Sequence, residues 1–156
     1  MSGKDKIPQT IQSLIGSIGE GLVVFKLFEL VYCKPDFEVF KNFSEPGYDC
    51  GIRNVRTGSK VRVEVKTRQR LITASNDVNI AHFMLTENEH IHADFMIGYW
   101  LEYNDFFIVP VVELNQVKSG KRWVYKLIVR ITKNGNYDQR SLRYRNRWDL
   151  ISNFFK

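Results

Sequence analysis

The sequence predicts a mixed α/β (α+β) fold: a central sheet flanked by a long first helix and a closing helix. Three observations predict it. Residues 7–33 carry apolar side chains at helical spacing, the stretch from 37 to 132 divides into short β-prone runs separated by turn residues, and residues 138–155 return to helical spacing.

Length and composition set the frame. With 156 residues, of which 44% are hydrophobic and 26% charged, the expectation is one globular domain spanning 1–156. Two cysteines cannot build a disulfide framework, and residues 1–6 read as a polar, flexible tail rather than a secretory signal. No uninterrupted apolar run reaches the roughly 18 residues of a membrane span. The expected location is therefore cytoplasmic (intracellular), with no membrane partner. Lysine and arginine outnumber acids 23 to 17, and the resulting +6 favours a polyanionic partner.

In the first helix, Ile11, Ile15, Ile18, Leu22 and Phe25 form one stripe. Pro8 suits its first turn and Pro35 ends it. Val24, Leu27 and Val31 add a second apolar face, so the helix is expected to pack on two sides. Strands are expected over Phe37 to Phe43, Tyr48 to Val55 and Lys60 to Gln69, with turns at Ser44-Glu45-Pro46-Gly47 and Arg56-Thr57-Gly58-Ser59. The third alternates: Val61, Val63, Val65 and Thr67 point one way, Arg62, Glu64, Lys66 and Arg68 the other. Residues 70–85 carry no clear period. Thr86-Glu87-Asn88-Glu89 has capping-box spacing and should open a short helix. Phe95 to Leu101 and Phe106 to Val112 read as buried strands, with Pro110 pointing to an edge or bulge in the second. Lys121 to Thr132 reads as a further strand. Tyr144, Trp148, Ile151 and Phe155 form the stripe of the closing helix.

The chemistry concentrates in Tyr48-Asp49 and Glu64-Val65-Lys66. Glu64 and Lys66 share a strand face. A hairpin turn centred near Thr57-Gly58 places Asp49 opposite residue 66, give or take one. Two carboxylates and an ammonium then converge, and like carboxylates converge at little cost only when a cation joins them. Mg²⁺ takes one or two carboxylates, carbonyl oxygen and water; Asp49, Glu64 and the Val65 backbone carbonyl fit that set. Lys66 is placed to position or deprotonate a metal-activated water. The alternative reading is a solvated sheet face with ordinary ion pairs, Asp49 capping the turn after Pro46-Gly47.

These residues resemble the PD-(D/E)XK nuclease superfamily, whose signature is an acid at one strand start and acid-x-Lys in the next. The likeness covers roughly residues 11–112, with Tyr48 in place of the proline before the first acid. It implies a restriction-endonuclease-like core, a DNA substrate, and Mg²⁺ (Mn²⁺ substituting) as cofactor. It also makes Glu20, between Gly19 and Gly21 on the first helix, a candidate third acid; the alternative is an exposed helix glutamate. Arg68 or Gln69 is the candidate polar residue after the motif.

For DNA affinity the candidates are the Arg62/Arg68 face, Gln69, and Arg140, Arg143 and Arg147 on the basic C-terminal helix 138–155, which has no acid between Asp138 and Asp149. A solvated basic face is the other explanation. His82, His90 and His92 lack a cysteine pair and read as structural. Cys33 and Cys50 read as small buried hydrophobes. No Gly-rich phosphate loop is present, so neither ATP nor GTP is expected.

The leading expectation is an Mg²⁺-dependent endodeoxyribonuclease of the homing or restriction type. The Ser-Gly and Pro-Asp features of archaeal resolvases are absent. One site cuts one strand, so a homodimer or homotetramer is expected. The alternatives are a non-catalytic nucleic-acid-binding module on the same fold and an interaction protein with a coincidental motif.

Overall fold

The computed structural model describes residues 6–73 and 76–155. Of the expected tail, only Lys6 lies within them, and it is exposed. The first helix, α1, spans Gln9–Val31. Pro8 cannot donate and precedes it, its carbonyl accepting from the N–H groups of Ile11 and Gln12 at 3.0 Å. Tyr32 leaves helical geometry, Cys33 takes a left-handed φ of 64°, and Pro35 blocks continuation.

The strands that follow are β1 Phe37–Lys41, β2 Cys50–Asn54, β3 Lys60–Arg68 and β4 Ile80–Thr86. Then come α2 Glu87–His92, β5 Phe95–Trp100, β6 Asp105–Pro110, β7 Asn115–Ser119 and β8 Arg122–Arg130. They make two sheets. The larger has the order β1-β2-β3-β5-β6, antiparallel except for the parallel pair β3 and β5. The smaller is antiparallel, in the order β4-β8-β7. Pro110 closes an edge strand, where its missing N–H breaks no ladder.

Strand alternation divides the core into two. Ile97, Tyr99, Phe106 and Ile108 pack with Val61, Val63 and Val65 under α1. Met96, Trp100, Phe107 and Val109 pack with Phe83, Leu85, Leu127 and Val129 of the smaller sheet. The large sheet is thus the middle of three layers, with α1 on one face and the small sheet on the other. No helix among the described residues is long and apolar enough to cross a membrane.

Four expectations need correction. The buried face of α1 is Gly19, Val23, Leu27 and Val31, not the Ile11/Ile15/Ile18/Leu22/Phe25 stripe, of which Ile11, Ile18 and Phe25 are 42%, 39% and 59% exposed. Glycine decides between the two apolar faces: a Cβ on residue 19 would stand 1.8 Å from Thr67 Oγ1, so only this face approaches β3 closely. Cys33 is exposed, because the chain turns outward at its left-handed backbone; Cys50 is buried. Residues 70–85 contain β4, and β7 precedes the expected last strand, so a second sheet exists.

The fourth correction is the closing helix of 138–155. It is two short turns, α3 Gln139–Leu142 and α4 Asp149–Ser152, with Asn146 at φ 52° between them. Its apolar residues serve different cores, Tyr144 one and Trp148, Ile151 and Phe155 the other. A single straight helix cannot reach both. Instead the chain crosses the outer edge of β6, where Arg145 bridges Phe107.

The packing of α1 gives a paired test. Gly19→Ala should lower stability by about 1–3 kcal/mol, because backbone or Thr67 must shift. Gly16→Ala, whose Cβ meets nothing within 4 Å, should raise it by roughly 0.5–1 kcal/mol through helix propensity. Urea unfolding midpoints of the two variants check the contrast.

Candidate active site

The site forms where β3 outruns β2. Their last pair is Cys50 with Val63, and β3 continues to Arg68, so one edge of its second half has no strand partner. Asp49 occupies that position. Its N–H donates to the Val63 carbonyl at 2.9 Å, and its Oδ2 accepts from the Val65 N–H at 2.8 Å. A side-chain carboxylate thus stands in for the next backbone carbonyl of the ladder. N–H and C=O of one strand residue face the same edge, so the Val65 carbonyl faces this side as well.

The register differs from the sequence expectation. With Cys50 opposite Val63, Asp49 falls opposite Glu64 instead of near Lys66. The turn is the reason: Asn54 N–H bonds the Ser59 carbonyl, and Gly58 N–H bonds the Asn54 carbonyl, which centres the loop between Arg56 and Thr57.

Glu64 and Lys66 share one face of β3. Glu64 is 8% exposed. Lys66 Nζ lies 3.0 Å from Glu64 Oε1 and is also ion-paired to Glu89. Glu89 comes from the start of α2. One of its oxygens accepts from the Thr86 N–H at 2.8 Å, while Thr86 Oγ1 accepts from the Glu89 N–H at 3.2 Å, completing the expected capping box. The other oxygen takes Lys66. The helix start and the lysine are therefore fixed by one carboxylate. Sequence reasoning recognised Glu89 as a cap and missed this second contact; the available signal was that the unused cap oxygen projects from the element that follows β4.

The electrostatics are those of crowded acids. Burial, a hydrogen bond with Glu89 and the Asp49 charge raise the Glu64 carboxyl well above its ordinary 4.5. Burial also raises Asp49, against the Val65 N–H and the Lys66 charge. Burial opposes ionisation of Glu89 too, but hydrogen bonds from Glu64, Lys66 and Thr86 outweigh it and hold this group low. Glu64 is thus the member of the cluster whose ionisation its surroundings oppose most. Burial and then Asp49 raise Glu20. Glu20 reaches this neighbourhood because it adjoins the Gly19/Val23 face that meets the sheet.

A cleft of about 440 Å³ opens beside these groups, lined by Ile15, Gly16 and Glu20 of α1 and by Val65, Lys66, Arg68 and Gln69. Arg68 donates to the carbonyls of His82 and Thr67 and lies over the Phe83 ring. Gln69 closes its own loop through Ile72. Among the described residues no three His, Cys, Asp or Glu side chains are preassembled as a metal centre. The donors that do converge, two carboxyls and one carbonyl, match a hard cation that keeps several waters.

The remaining candidates lie elsewhere. Arg62 grips Asp94 through its backbone and side chain, tying β3 to the α2–β5 junction. Arg143 pairs with Glu113 and Arg147 with Asp149, which neutralises most of the expected basic helix; Arg140 is exposed. His90 stacks on Tyr125, and His92 bonds the Asn88 carbonyl.

The hairpin of β7 and β8 carries the cations that sequence reasoning overlooked. Lys118, Lys121, Arg122, Lys126, Arg130 and Lys133 lie in a stretch without an acid between Glu113 and Asp138, and none forms an ion pair among the described residues. Trp123 is 41% exposed near the tip, with Lys118 over its ring. The hairpin is joined to the cleft wall through β4: β8 pairs with β4, and Arg68 donates to the His82 carbonyl of β4 at 2.7 Å.

Known structures share this fold. A bacterial homing endonuclease, I-Ssp6803I, superposes with a TM-score of 0.59 at 18% identity over 91% of each chain. Hjc from Archaeoglobus fulgidus, a Holliday junction resolvase from an archaeal hyperthermophile, gives 0.55 at 14% identity, over 90% of this chain and 98% of that one. No protein-family model and no curated protein matches the chain. At these identities the likeness is one of fold, the expected restriction-endonuclease-like core with its mixed central sheet flanked by helices.

The acid cluster has a consequence for stability. A carboxyl raised in the folded state stabilises the fold fully below its unfolded value, and this contribution is lost as pH rises past it. Metal-free protein should therefore lose stability from Glu64 above about pH 4.5. Glu64→Gln, which keeps a donor toward Glu89, should be more stable than wild type at pH 8, with the difference shrinking at pH 4–5. Thermal unfolding in EDTA at the two pH values measures it.

Proposed function

We propose that the chain is a divalent-metal-dependent endodeoxyribonuclease. The observation that carries this reading is the meeting of Asp49, Glu64 and Lys66 at the free edge of β3, within a nuclease-like fold. Asp49, Glu64 and the Val65 carbonyl would hold Mg²⁺, with Mn²⁺ able to substitute. Such an ion supplies an acidified water and positive charge beside the scissile phosphate.

The chain's own residues do the rest. Lys66, held by Glu64 and Glu89, directs its ammonium at the attacking water and the phosphate. Glu20 supports the Asp49 side of the site. Arg68 is fixed by two carbonyls at the wall of the cleft, with its charge available to a phosphate. DNA affinity comes chiefly from the β7–β8 hairpin, whose unpaired cations suit a polyanion and whose two-stranded width suits a major groove. The full-length likeness to a homing endonuclease favours site-specific cutting of duplex DNA. The binding-module alternative has no specific observation in its favour, since acid, acid and lysine are all present and adjacent.

Plasmid DNA should be cut in Mg²⁺ and left intact in EDTA; binding without cutting would favour the binding module. Lys66→Ala should slow cleavage by about a hundredfold or more with little change in affinity, because it removes one positioned charge from the transition state. Near-wild-type cleavage would reduce Lys66 to a structural lysine.

The hairpin gives a second test. Lys121→Ala with Arg122→Ala should flatten the dependence of log affinity on log salt by about 2. Arg143→Ala with Arg147→Ala should change it less, because those charges are already paired. Equal slopes for the two pairs would remove the hairpin from the interface.

A further inference from the structure

The face of α1 that points away from the sheet is apolar and uncovered. Ile11, Leu14, Ile18, Phe25 and Phe28, with Tyr32 just past the helix end, are between 39% and 68% exposed. Together with Gly21 they follow alternating spacings of three and four, Ile11, Leu14, Ile18, Gly21, Phe25, Phe28, Tyr32, which is the seam of a packed helix pair. Only three charged residues, Glu20, Lys26 and Glu29, occur in the helix. Glu20 points to the cleft, and Lys26 and Glu29 pair with each other.

We propose that this face binds a second copy of the chain, the two α1 helices crossing antiparallel at Gly21. Four features point to self-association and to this orientation. The seam is nearly symmetric about Gly21 and Leu22, so a two-fold axis there makes it self-complementary. Its first half is aliphatic and its second half aromatic. Antiparallel packing sets Ile18 against Phe25, Leu14 against Phe28 and Ile11 against Tyr32, matching small to large. Parallel packing would crowd aromatic against aromatic at one end and leave the other loose.

Charge gives the same answer. Antiparallel, Lys26 and Glu29 face the uncharged Ser17 and Ser13 region of the partner; parallel, each would face its own like charge. Gly21 is the fourth feature. A Cβ there meets nothing within 4 Å, so nothing in the subunit requires glycine in the middle of a helix, where it is unfavourable. A second helix crossing at this point does require it.

The area suffices. Six side chains of roughly 150–200 Å², about half exposed, give about 500–600 Å² per subunit, or roughly 1,000–1,200 Å² for the pair, the lower range of specific interfaces. The inference is independent of the nuclease reading, because its readout is mass rather than cleavage.

Analytical ultracentrifugation of the full chain should show a reversible dimer at micromolar concentration. Gly21→Leu is solvent-exposed in the subunit and favours helix, so it leaves the fold intact while wedging the helices apart; it should weaken self-association at least tenfold. In a Cys33→Ser background, Ile18→Cys combined with Phe25→Cys should give on oxidation a cross-link from residue 18 of one copy to residue 25 of the other. A wild-type monomer throughout the concentration range overturns the proposal, whether or not it binds lipid vesicles. So does self-association indifferent to Gly21→Leu, and cross-links joining 18 to 18 and 25 to 25 overturn the antiparallel arrangement.

Discussion

One constraint organises the molecule: β2 stops at Cys50 while β3 runs on to Arg68. An exposed strand edge carries unpaired N–H and C=O groups that folded proteins must cover. Here the Asp49 carboxylate takes the first free N–H, α1 closes over one face through Gly19, and α2 reaches the other through Glu89. The covering groups are acids and a lysine, so the solution to a backbone problem is also a cluster of reactive side chains.

That cluster is held by rigid parts. The two cores lie on opposite faces of the large sheet, and β3 is clamped between them with Val63 fully buried. Glu64 and Lys66 therefore have little freedom, and Glu89 is fixed by its helix cap. Burying acids together is unfavourable by itself, which explains why Glu64 resists ionisation. A divalent cation removes the penalty. Local stability is given up where these charges are gathered.

Much of this was legible in the sequence, and the failures are physical. Strand alternation gives Glu64 and Lys66 a shared face, and the hairpin brings Asp49 beside them, but spacing alone also fitted a solvated sheet face. The capping box located α2 correctly but said nothing of a second bond by the same carboxylate. Register was missed by two residues because a turn's centre depends on which carbonyl each N–H chooses. The face of α1 that meets the sheet was not readable from periodicity, because both faces are apolar and a contact between Gly19 and Thr67 decides. The closing segment kept helical spacing although its apolar residues divide between two cores. The small sheet escaped because β4 emerges from a polar stretch without a clear period, and its unpaired cations went unnoticed beside the arginines of residues 140–147, most of which are paired.

The proposed divalent-cation site depends above all on Asp49, at the free edge of β3. The most direct measurement is Mn²⁺ binding followed by electron paramagnetic resonance, for wild type and for Asp49→Ala with its circular dichroism unchanged. One bound ion per chain is expected in the wild type, and its loss in the variant. Equal binding by both proteins, or none by the wild type, would contradict the proposed site.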